Sequence, residues 1–75
     1  MTKEKWLKAF KNTVRKATEA RLAGNIQQAQ WLDRSIERYY KEAKKRYHDD
    51  YHFDEEYLFE VESDIREEQK CNLKT

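Results

Sequence analysis

A chain of 75 residues and 9.3 kDa can form one small domain, which buries only about 60% of the surface its unfolded form exposes. Leu, Ile, Val and Phe supply just 13 positions, yet the net charge is +1, two Trp and five Tyr add apolar area and proline is absent, a balance that favours a folded helical protein over a disordered tail. A single cysteine, Cys71, excludes an internal disulfide and a Cys-based zinc cluster, and a single glycine excludes the glycine-rich phosphate loops.

Charge is divided along the chain. Residues 1–47 carry 13 Lys and Arg against 5 Asp and Glu, a net +8, whereas residues 48–75 carry 3 against 10, a net −7. Such asymmetry points to an electrostatic partner. Met1 to Phe10 alternates lysines with apolar residues and has no continuous apolar run, so no secretory signal is read there. No segment approaches the roughly 18 apolar residues of a membrane span. A cytoplasmic protein with no membrane association is the expectation.

The first predicted element covers residues 2–23. Trp6, Leu7, Phe10, Val14 and Ala17 recur at three and four residues, which places them along one side of a helix. Gly24 can take the left-handed conformation that ends it. Asn25 then stands as the N-cap of the next helix, with Gln28 three positions on to close a capping box. The second helix is predicted over 26–47, with Ala29, Leu32, Ile36, Tyr40, Ala43 and Tyr47 on one stripe. At about 1.5 Å per residue its length matches that of the first, and the two predict an antiparallel hairpin with facing apolar stripes.

Residues 48–53 read as a short connector or a fraying extension of the second helix. Phe53 and Leu58 fit a hydrophobic staple around Asp54 as N-cap, with Glu55 and Glu56 in the first turn, where the helix dipole favours negative charge. A third, acidic helix is predicted over 54–69, through Leu58, Val61 and Ile65. The single domain spans 1–70, with a frayed tail over 71–75. The fold class is therefore all-α, a hairpin plus a third helix in a small bundle, and the thin core predicts a homodimer.

Catalytic and metal chemistry find little to use. His48 and His52 stand at i and i+4 with Asp49, Asp50 and Asp54 nearby, but they fall where the helix is expected to break, and a structural zinc site needs four well-placed ligands. The glycine of a calcium loop is missing. Ser35 and Ser63 lack a nucleophile motif. No metal, cofactor or catalytic residue is expected.

The more specific signal lies outside the hairpin. With about 100° per residue, Trp31 falls roughly 140° from the stripe centred on Ile36. Gln27, Arg34, Arg38, Lys41 and Lys45 share its face at spacings of three and four. The first helix carries a second basic face, Lys5, Lys8, Arg15 and Lys16, opposite Phe10. Three explanations fit the tryptophan. The acidic helix, whose outer row is Glu56, Glu60, Asp64 and Glu67, could fold across it. Another protein or a second copy could dock there, since Trp and Arg dominate interface hot spots. A nucleic-acid backbone could follow the cations while the indole stacks. The acidic segment, with Tyr51, Tyr57 and Phe59 among its carboxylates, could also imitate nucleic acid or plug a basic groove. The preferred reading is a small non-enzymatic regulator that docks on a protein by occlusion or bridging, of a size and make-up that suit a phage or mobile-element accessory protein. The alternative is a nucleic-acid-binding module using the basic outer faces.

Overall fold

The computed structural model describes residues 2–74, with side chains described through Cys71. Three helices follow one another, α1 (Lys3–Leu22), α2 (Ile26–Arg46) and α3 (Glu55–Lys74), with a single 3-10 turn at Tyr51–Phe53 and no strand among the described residues. The expected hairpin plus third helix is thus the architecture. The helix α3 runs to Lys74, past the predicted end at 69 and through most of the stretch expected to fray, while Thr75 lies outside the described residues.

Each boundary has a local cause. Thr2 caps α1, its side chain accepting from the Lys5 amide at 3.2 Å. At the other end Gly24 adopts φ 83°, and the Gly24 and Asn25 amides bond back to the Arg21 and Ala20 carbonyls at 3.1 and 2.8 Å. That pair of bonds is a Schellman motif, which a residue without a Cβ closes most cheaply. Asn25 then caps α2 through its side chain, which accepts from the Gln28 amide at 3.3 Å. The reciprocal half of the predicted capping box differs: Gln28 Oε1 accepts from Asn25 Nδ2 at 2.9 Å, because the Asn25 backbone amide is already engaged with Ala20.

The α1 and α2 stripes face each other and α3 lies chiefly against α1, touching α2 sparingly. Trp6, Phe10, Val14 and Ala17 are completely buried, with Ile36, Ala43, Phe53, Leu58 and Ile65 around them. Tyr39 and Tyr40, half-buried at the edge of this cluster, meet the Phe10 ring edge-on at 5.9 and 5.7 Å. Trp6 is the hub: Phe10, Tyr39, Tyr47 and Phe53 have ring centroids 5.2–6.0 Å from it. Such contacts add about 0.5–1.5 kcal/mol each beyond area burial.

The connector is fixed rather than loose. Phe53 packs 4.5 Å from Tyr47, and Phe53 and Leu58 both enter the core, as a staple around Asp54 requires. Asp54 has extended backbone and its carbonyl accepts the first helical bond from Leu58, at 2.9 Å. Asp50 caps the 3-10 turn through the His52 amide at 3.0 Å and accepts from Lys3 Nζ at 2.8 Å. Lys3, with the His52 amide second, holds the Asp50 carboxyl below its ordinary value.

Candidate functional site

The outer face of α2 carries an uncovered indole. Trp31 is 69% exposed. Among the described residues it stacks on no ring and lies under no cation. Of the three explanations for Trp31, the one in which α3 folds across it is therefore overturned. The row Leu58, Val61 and Ile65 must bury, and the largest apolar surface open to it is the α1 side lined by Trp6 and Phe10, not the charged outside of α2. Gln27, Arg34, Arg38, Lys41 and Lys45 are exposed beside Trp31 on the same helix. Arg34, Arg38 and Lys45 form no ion pair among the described residues, and Lys41 makes only a long one, 3.9 Å, to Glu37 one turn away. Three of these four cations thus have no carboxylate within ion-pair distance among the described residues.

On α1, Lys5, Lys8, Arg15 and Lys16 are all exposed. Lys8 and Arg15 border a shallow depression of about 320 Å³ together with Glu4, Leu7, Lys11 and Asn12. Both basic sets lie on the side of their own helix turned from the shared core, so they face apart and do not merge into one groove. On α3, Glu56, Glu60, Asp64 and Glu67 are exposed and unpaired among the described residues, and Phe59 beside them is 61% exposed. The acidic row is a second free surface and does not cover the first.

What does join α3 to the hairpin is a polar network that the sequence reading missed. Arg66 donates to Glu62 Oε1 at 3.1 Å and to Asp33 Oδ1 at 3.4 Å, and reaches Thr18 Oγ1 at 3.5 Å. Asp33 also pairs with Arg21, and Tyr40 donates to Glu62 Oε2 at 3.1 Å. Burial first, then the Glu62 charge and hydrogen bond, push the Tyr40 phenol far above its ordinary value. One signal was available: Arg66 is the only basic residue between His52 and Gln69.

His48 and His52 do not share a helical face. The helix α2 stops at Arg46, leaving His48 in the turn and His52 in the 3-10 segment. His48 lies 3.4 Å from Asp49, and His52 packs between Tyr51 and Tyr57. No group of three or more His, Cys, Asp or Glu among the described residues could hold a metal ion. A groove of about 700 Å³ between the end of α2 and the start of α3 is lined by Tyr40, Phe53 and His48. Long charged side chains, among them Lys41, Lys44, Glu55 and Glu56, form its rim, and no Ser, Thr or Cys lines it.

No family model, no curated protein and no solved structure matches this chain. No helix among the described residues is long and apolar enough to cross a membrane.

Proposed function

We propose that the protein is a non-enzymatic binding protein that docks on another protein through the Trp31 face of α2. The observation that carries this reading is an indole 69% exposed on a helix face whose nearest cations, Arg34 and Arg38, are unpaired among the described residues. Trp and Arg are the residue types most enriched among interface hot spots, and here they share one exposed helix face. The fold does not need it, because the core closes around Trp6 on the other side of the hairpin. Action is by occlusion or bridging.

Trp31→Ala tests this directly. The fold should keep its stability within about 1 kcal/mol, while affinity for a protein captured from nuclease-treated lysate should fall by about 2 kcal/mol or more. Undiminished capture by Trp31→Ala would reject the reading.

A second reading, a nucleic-acid-binding module, is favoured by the same unpaired cations and by Lys5, Lys8, Arg15 and Lys16 on α1. The exposed carboxylate row on α3 weighs against it, since it repels phosphate. Binding that vanishes on nuclease treatment and drops steeply between about 50 and 200 mM salt would favour this reading instead.

A further inference from the structure

We infer that the occupant of the Trp31 face is the acidic face of α3 from a second copy of this chain. The inference rests on the docking reading above and names its partner. The cations Arg34, Arg38, Lys41 and Lys45 follow one another at intervals of 4, 3 and 4 residues on α2. The carboxylates Glu56, Glu60, Asp64 and Glu67 follow at 4, 4 and 3 on α3. Each row spans 11 residue steps (45 − 34 and 67 − 56), about 16 Å of helix, so the two are matched in number and length and opposite in sign.

Within one molecule these rows do not meet. No ion pair joins them among the described residues, and α3 is held to α2 by a pair of reversed sign, Arg66 on the acidic helix and Asp33 on the basic one. That clamp uses neither row. Symmetric pairing is disfavoured in both of its forms, since α2 against α2 opposes four cations to four, and α3 against α3 does the same with carboxylates. The contact of α2 on α3 alone satisfies both rows. Exposed ion pairs contribute little by themselves, and here each surface also brings an exposed aromatic ring, Trp31 at one end of the basic row and Phe59 along the acidic one. A contact between unlike faces closes into a two-fold pair or continues head to tail.

Charge exchange tests the inference. Two variants are made in the full chain, Arg34→Glu with Arg38→Glu, and Glu60→Lys with Asp64→Lys, all at exposed positions, and their helix content is checked by circular dichroism. In sedimentation at low salt the parent's mass should rise above 9.3 kDa with concentration, and each variant alone should associate at least tenfold more weakly. Their equimolar mixture should associate again, because the acidic α2 of one now meets the basic α3 of the other, and the reverse contact is restored as well. Recovery on mixing also excludes misfolding as the cause of the loss. A parent that stays at 9.3 kDa, a variant that associates like the parent, or a mixture that does not recover would each overturn the inference. If the parent stays monomeric while Trp31-dependent capture of a different protein persists, the docking reading stands and only the second copy is lost. If Trp31→Ala changes neither self-association nor capture, the docking reading itself falls.

Discussion

Trp6 and Trp31, the two tryptophans, sit in opposite surroundings. Trp6 is completely buried among four aromatic rings, so Trp6→Ala should cost about 3–5 kcal/mol in a denaturant titration. Among the described residues its indole N–H has no hydrogen-bond partner, a burden of about 1–3 kcal/mol for a buried donor. Trp6→Phe removes that donor along with some volume and should therefore cost much less than the alanine change. Acrylamide quenching of the dilute, unassociated chain separates the two sites: in Trp6→Phe the remaining Trp31 should be quenched readily, whereas in Trp31→Phe the remaining Trp6 should be shielded. Equal quenching in the two variants would show that Trp31 is covered.

Between elements, the decisive contact is the Arg66 clamp. Arg66, Glu62 and Asp33 are only partly exposed, so the guanidinium is better placed than a surface ion pair to hold α3 against both helices of the hairpin. Removing it leaves Glu62 and Asp33 facing each other's charge with one fewer cation, although Arg21 still serves Asp33. Arg66→Ala should destabilise by about 1.5–3 kcal/mol, the range for a hydrogen bond to a charged group. Hydrogen exchange should quicken first in α3, because α1 and α2 keep their own interface. A double-mutant cycle with Asp33→Ala should show coupling of about 0.5 kcal/mol or more, and strict additivity would mean the clamp adds nothing. The turn at Gly24 is the contrasting case: its geometry follows from residues adjacent in the chain, and its hydrogen bonds match that local logic except where one Asn25 amide could not serve two acceptors.

For the molecule as a whole, stability should depend on pH at the alkaline end. An unfolded tyrosine loses its proton near pH 10, and burial together with Glu62 keeps the Tyr40 proton on in the fold well above that. The unfolded chain thus binds fewer protons than the folded one as pH rises past about 10, and stability falls with increasing pH. The contribution is complete below that pH and is lost as the folded value is approached. Tyr40→Phe should flatten this limb of a stability profile, and an unchanged slope would refute the assignment. At the acid end Asp50 works in the opposite sense. Its depressed carboxyl adds stability above the ordinary carboxylate range, and that stability fades as pH falls through the depressed value.

Apolar periodicity in the sequence was enough to define three helices, the hairpin of the first two, the staple around Asp54 and the placing of Trp31 off the buried stripe, because each depends on residues within a few turns of one another. It could not say where α3 would lie. A repeat of Leu58, Val61 and Ile65 tells which side of that helix is buried, not which neighbour buries it, and the choice went to the Trp6 and Phe10 side of α1, where apolar area was available. Charge was legible as a division between halves of the chain, yet the pair that ties α3 to α2 runs against that division, with the acid on the basic helix and the base on the acidic one. The exposure of Trp31 and the separation of the two charged rows were decided by that packing alone, since both depend on residues distant in sequence meeting in space.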